Sequence, residues 1–281
     1  MVQSVANPTK PRLNGDSTQA GDERPLIGFG REICGDLAAG LHREWLVTNG
    51  LGGYASGTLA GVATRRYHGL LVAALTPPVG RTVLVGAMVE HAEYDGHEYP
   101  LSAHEFGDGV IAGHGYRHLQ AFHLAWNLPV WVFALGDALL ERRIWMAYGK
   151  NTTYLTYRLL RGTRSLDLRL RPLVTYRDFH ALTGGDGWQP EVEALPRGAV
   201  VHAGAEARPF RLLADGGSFA ADGMWYWNFH HREEAARASA ICRPSASASA
   251  CTAFNSTWAS ALNASAKVSP GCSLAWKTPG A

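Results

Sequence analysis

From residue 83 onward the chain reads as short strands separated by tight turns. Residues 83–94 and 97–101 flank Asp95-Gly96, and residues 130–135 and 138–146 flank Gly136-Asp137. Both are hairpin signals, because glycine tolerates the positive φ that two-residue turns between twisted strands demand. A turn at Gly149-Lys150-Asn151 feeds residues 152–160, and Leu166-Asp167-Leu168-Arg169-Leu170-Arg171 then alternates strictly. That alternation puts the leucines on one face of a strand and the charges on the other. Connections this short imply antiparallel neighbours, since parallel strands need crossovers of about a dozen residues or more. Helical periodicity is confined to residues 34–43 and 232–238. The predicted fold is all-β, a large antiparallel β-sandwich with few short helices and disordered tails.

Three zones follow from the same pattern. Residues 1–28 are polar and rich in Pro, Gly, Asn and Ser; too little surface could be buried there to offset the entropy of ordering, so a mobile tail is expected. Residues 29–238 carry the strand patterning and form the expected domain. From about Ser239 the character changes. No Asp or Glu follows, Ser and Ala alternate in PSASASAC, and Cys242, Cys251 and Cys272 all lie there. Residues 239–281 are expected to be a low-complexity tail with neither strand nor helix.

Composition narrows the function classes. A formal charge of +2 with no Lys/Arg block argues against nucleic acid as a partner. The apolar runs are too short to span a bilayer, and the N-terminal residues lack a signal-peptide core. With Cys34, the four cysteines have neither CxxC spacing nor a disulfide framework. A reduced, cytoplasmic location is the expectation.

Several chemistries fail on their own requirements. Gly50-Leu51-Gly52-Gly53-Tyr54-Ala55 matches GxGxxA, but no helix pattern follows and no acidic residue appears before Glu90. No cofactor is expected, and the glycines read as a tight turn against a strand or ligand. His114 and His118 sit in a glycine-containing stretch without a helix to align them, and His230 and His231 would face opposite ways on a strand. No metal site is expected. There is no GxSxG, and Asn151-Thr152-Thr153 reads as a turn asparagine. Glycosidases need two carboxyl groups across a cleft, and Glu44, Glu90, Asp178 and Glu233 read instead as strand-edge charges and arginine partners. No catalytic residue is assigned.

What remains is a vocabulary suited to sugars. Aromatic faces cover the C–H face of a pyranose, and Arg, Asn and His supply directed hydrogen bonds. These types concentrate in residues 45–49 (Trp45, Asn49), at Tyr54, in Arg65-Arg66-Tyr67-His68, in residues 176–180, and in Trp225-Tyr226-Trp227-Asn228. About half of the aromatics are expected to be core packing instead. If extended, Arg65 and Arg66 would point to opposite faces, so at most one serves a ligand.

Three blocks, EWLVTNGLGGYASGTLAGVATRRYHGLLVAALTPPVGRTVLV from Glu44, RPLVTYRDFHAL from Arg171 and WYWNFHHREEAARA from Trp225, resemble the N-terminal domain of bacterial and archaeal-type glycogen debranching enzymes, the amylo-α-1,6-glucosidase kind. The resemblance implies a β-sandwich that engages α-glucan (glycogen, maltooligosaccharide) and braces a helical catalytic domain, which carries the acid and base. It also sharpens the reading of the last zone: the family's sequence is expected to stop at Arg237, with the remainder translated out of frame, and a native low-complexity tail is the alternative. A purely structural module and a stand-alone glycoside hydrolase stay open beside the glucan-engaging reading. On that reading residues 45–68 and residues 225–231 come together in one glucan surface.

Overall fold

The computed structural model describes residues 27–107, 109–183, 188–220, 224–241, 255–260, 263–269 and 273–278. The chain opens with β1 (Gly28–Phe29), α1 (Arg31–Cys34) and α2 (Leu37–Leu41), then β2 (Glu44–Thr48), β3 (Tyr54–Thr58), β4 (Gly69–Thr76) and β5 (Val79–Tyr94). Next come β6 (His97–Pro100), β7 (His104–Glu105), β8 (Ile111–Ala112), β9 (Leu119–Ala125), β10 (Leu128–Leu135) and β11 (Ala138–Met146). β12 (Thr153–Arg161), β13 (Leu166–Asp178), β14 (Glu191–Leu195), β15 (Gly198–His202), β16 (Phe210–Ala214) and β17 (Ser218–Ala220) follow. The last elements are β18 (Met224–His230), α3 (Arg232–Ile241), β19 (Asn255–Ser260), β20 (Asn263–Val268) and β21 (Ser273–Thr278).

Among the described residues these strands make two large sheets. One has nine strands in the order β1-β9-β10-β11-β12-β21-β16-β15-β14. The other has ten, running β17-β20-β13-β5-β4-β3-β2, with β6 on β5 and β18 attached through β19 to β13. The long pairings are antiparallel, as the short connections require. Both two-residue turns form where predicted. Tyr94 pairs His97 across Asp95 (φ 51) and Gly96 (φ 75), and Leu135 pairs Ala138 across Gly136 (φ 63).

The sheets meet over one core. Trp45, Val47, Leu71 and Leu84 come from the ten-stranded sheet, and Phe122, Trp131, Phe133, Leu140 and Leu155 from the nine-stranded one. Burying each such side chain is worth about 1.5–3 kcal/mol. Period-two alternation selects the inner face: Leu166, Leu168 and Leu170 are buried while Arg169 is exposed. One ionic cluster also sits between the sheets. Glu90 takes Arg142 at 2.5 Å and the Tyr157 hydroxyl, and the Arg142 guanidinium lies 4.2 Å from the Trp131 ring centre. Removing one member would leave a buried charge unpaired, which is far costlier than the pair is stabilising.

Two expectations change. The predicted helix at residues 34–43 is split into α1 and α2, because Asp36 caps a new helix by accepting from Ala39 N at 3.0 Å. The larger correction concerns the end of the chain. α3 runs to Ile241, and the segment expected to be patternless supplies β19, β20 and β21. In β20 the reason is visible: Ala264 and Val268 are buried on one face with Ala266 half-buried between them, while Lys267 faces out beside Asp167 at 3.9 Å. A period of two in small residues was hidden by the low-complexity composition. The Ser/Ala repeat itself, and residues 1–26, where the N-terminal tail was expected, lie outside the described residues. Among those described, no helix is long and apolar enough to cross a membrane.

Candidate functional site

The β2–β3 turn is built around one asparagine. Asn49 is fully buried, and its Oδ1 accepts from Leu51 N at 2.9 Å and Gly53 N at 3.0 Å. Its Nδ2 donates to Lys150 O at 3.0 Å and Asn151 Oδ1 at 2.9 Å. Asn151 in turn grips β4, accepting from Ala74 N at 3.1 Å and donating to Ala74 O at 2.8 Å. The glycines answer this crowding. A Cβ on Gly53 would stand 2.6 Å from Asn49 Nδ2, and one on Gly52 (φ 96) would stand 2.5 Å from Pro78 O. What approaches the glycine turn is therefore protein, and Asn49 has no hydrogen-bonding capacity left for a sugar. Its placement among ligand-binding residues is corrected on that ground.

Residues 65–68 form a turn, with His68 N donating to Arg65 O at 3.1 Å, where an extended strand had been considered. The two arginines still diverge, but each is committed to carboxylates. Arg65 Nε sits 2.6 Å from Glu44 Oε1, and its Nη2 lies 3.8 Å from Glu233. Arg66 donates to His180 O at 2.9 Å and pairs with the buried Glu234 at 3.3 Å. His68 is buried, with Nε2 3.5 Å from Glu44 Oε1, while its Nδ1 accepts from Arg65 N. These neighbours, His68 first and Arg65 next, hold the Glu44 carboxyl down at about 2, so it stays ionised.

Tyr54 donates its hydroxyl to Tyr67 O at 2.9 Å, and burial pushes its phenol up to about 12. Tyr67 meets Phe179 edge-on at 5.5 Å and lies 3.2 Å from His180 Nδ1 through its hydroxyl. Behind them Arg177 is buried, donating to Ala181 O at 2.8 Å and Arg66 O at 2.6 Å. Desolvation lowers it to about 10.

Together these residues wall an open groove of about 640 Å³, lined by Trp45, Tyr54, Arg65, Tyr67, His68, Glu44, Arg81 and the glycine turn. That volume lies within the roughly 300–1,000 Å³ usual for small-molecule sites. Of the residues singled out from sequence, Asn49 and Arg66 stand behind the wall. Trp45 shows only an edge: it is 7% exposed, stands edge-on to Trp131 and gives its Nε1 proton to Thr58 O. Trp225 and Trp227 do not line the groove. They stack on each other at 5.5 Å and 27°, with Trp225 against Trp188, on a separate ridge. Of the single surface expected from residues 45–68 and 225–231, the two segments meet at the end of β18 and just after it, where His231 lies 3.2 Å from Ala63 O and Glu233 and Glu234 reach the arginine turn, while Trp225 and Trp227 stand apart from the groove. Sequence reasoning missed Arg81, which donates to Gly52 O at 2.7 Å and lies over the Phe179 ring. Nothing local signals it, since its partners come from two other segments.

Residues 43–243 match the family described as glycogen debranching enzyme N terminal. The chain belongs to that family. No curated protein matches it. For this debranching-enzyme N-terminal domain the matched segment takes in the groove, the arginine turn, β18 and α3.

Proposed function

We propose that the groove engages α-glucan, and that the chain is the glucan-engaging and bracing module of a glycogen debranching enzyme whose helical catalytic domain does the chemistry. The observation that carries the reading is the groove lining. The tyrosine rings of Tyr54 and Tyr67 stand beside a carboxylate, two guanidiniums and the hydroxyls of Thr48 and Ser56. A pyranose needs that combination, an apolar face for its C–H groups with donors and acceptors for its hydroxyls. A cytoplasmic place in glycogen breakdown goes with the same reading.

Hydrolysis is not expected of this groove. A glycosidase acid must keep its proton near neutral pH, whereas Glu44 is held at about 2. Purified chain should release no glucose from a branched limit dextrin. Release that a Glu44→Gln change abolishes would overturn this point.

Binding is tested by titrating maltoheptaose into the full chain. A few contacts on an open groove leave affinity near millimolar, about −4 kcal/mol, once association costs are deducted. Saturable binding that Tyr67→Ala or Arg65→Ala removes, with the fold intact, is the expected result. No binding at several millimolar sugar would leave the scaffold reading. That second reading has its own observation: Met224 and Trp227 on β18 are 45% and 49% exposed, an apolar edge suited to bracing another domain.

A further inference from the structure

The β11–β12 turn brings an aromatic side chain to the mouth of this groove that plays no part in the core. Tyr148 is 88% exposed, yet its ring lies flat against the glycine turn: a Cβ built on Gly50 would stand 2.5 Å from Tyr148 Cε2 and 3.0 Å from Cζ. Gly50 lines the groove. The turn is not loosely hung there. Gly149 N donates to Asn49 O at 2.7 Å, Lys150 O accepts from Asn49 Nδ2, and Asn151 links Asn49 to Ala74. A fully buried asparagine and three hydrogen bonds on its side of the contact thus fix a turn from the opposite sheet against this one. A ring so exposed adds little to folding, so the anchoring makes physical sense as pre-organisation of a face that meets something else.

We propose that Tyr148 is a sugar-stacking platform that extends the groove by one further pyranose at its Gly50 end. The proposal rests on the glucan reading given above and deepens it. The ring is amphipathic, one face backed by Gly50 and the other open, and stacking on it asks for a C–H face with hydroxyls at the edge. A sugar held in the groove lies beside Tyr54, Tyr67 and Arg81, and only a chain that runs on past Gly50 also lies on the ring. The platform therefore matters to long oligosaccharides and not to short ones.

The experiment measures dissociation constants of maltotriose and maltoheptaose for the full chain, for Tyr148→Ala and for Tyr148→Phe. The expected result is that Tyr148→Ala weakens maltoheptaose roughly three- to tenfold and leaves maltotriose unchanged. Tyr148→Phe, which keeps the ring, should behave as the native chain does with both sugars, and the melting temperature should not move in either variant. Equal weakening of both sugars would mean that the groove itself was disturbed, and weakening of neither would mean that the ring meets no sugar; either overturns the platform. If the native chain binds neither sugar, the glucan reading falls and the platform with it. If the native chain binds both and Tyr148→Ala changes neither, the platform alone is lost.

Discussion

β2 and β18 draw on the same residue types and use them in opposite ways. In β2 the alternation sends Trp45 and Val47 inward, and the Trp45 ring closes on Trp131 of the facing sheet. In β18 Trp225 is half-buried and Trp227 half-exposed, while Tyr226 and Phe229 share the inner side with ring centres 6.3 Å apart. Residues 226 and 229 could not share a face in a regular strand. A bulge at Asn228 (φ 62), where the pairing with β19 shifts between Tyr226 and Phe229, brings them together. A strand facing another sheet buries its tryptophan in the core; β18, hung at the side of its sheet, buries Phe229 and leaves Trp227 half-exposed. Aromatic content marks neither as a site.

The largest effect should come from removing what holds β18. β19 pairs with both β18 and β13, β20 pairs with β13 and β17, and β21 joins β12 to β16. A chain ended at Ile241 should therefore lose its cooperative thermal transition, since unpaired central ladders leave backbone groups without partners. Circular dichroism during heating reads this directly. An unchanged melting temperature would show residues after 241 to be dispensable, as expected if they are translated out of frame.

Next in size is Trp45→Ala. Loss of a core tryptophan costs about 3–5 kcal/mol, and here it also strips the edge-on partner from Trp131. Chemical denaturation should show the midpoint falling with little change in slope. A loss below about 1 kcal/mol would mean that β2 does not close the core as described.

What could be read in the sequence was whatever is settled within one hairpin. Asp95-Gly96 and Gly136-Asp137 carry their own turn chemistry, and the leucine alternation of β13 sets its inner face without help from elsewhere. The groove was half legible for the same reason. Tyr54, Arg65, Tyr67 and His68 sit close in sequence and end up close in space. Asn49 was misread because its role depends on Asn151, about a hundred residues away, and Tyr148 was passed over because the glycine it covers belongs to the other sheet. β20 was missed because small residues give a faint pattern. That Phe229 joins Tyr226 on the inner side depended on a one-residue bulge, which shifts the side chains after it to the other face.

Acid should separate the two regions further. His231, just after β18, is buried with Nδ1 3.2 Å from Ala63 O, and burial first, then the charge of Arg177, lowers it to about 3. His104, packed edge-on to Phe229 of β18, is lowered by burial to about 4. For both, the unfolded chain near 6.5 binds the proton more readily than the folded one. Stability is then fully present above pH 6.5 and declines as pH falls toward 4 and 3, by an amount on the order of a few kcal/mol. Glu44 beside β2 has the same sign but a lower window, from about 4.5 down to about 2, and its partial exposure makes its share small. His231→Gln should flatten the stability curve between pH 6.5 and 4. An unaltered slope there would show that His231 is not what the β18 region loses to acid.

The smallest expected effect is the one that isolates the comparison, Trp227→Ala. The same substitution that costs several kcal/mol in β2 should cost within about 0.5 kcal/mol in β18, because half of the Trp227 ring already meets water and its packing is a stack on Trp225 alone among the rings described around it. Maltoheptaose affinity should also be unchanged, since the ring lies outside the groove lining. Each outcome carries its own meaning. A large loss of stability would place Trp227 in a packed layer, contrary to its exposure. Intact stability with weakened maltoheptaose binding would make the ridge part of the glucan surface after all, reached by a chain long enough to leave the groove. Intact stability and intact binding would leave the ridge to serve as a brace, its half-exposed tryptophan free to meet another domain.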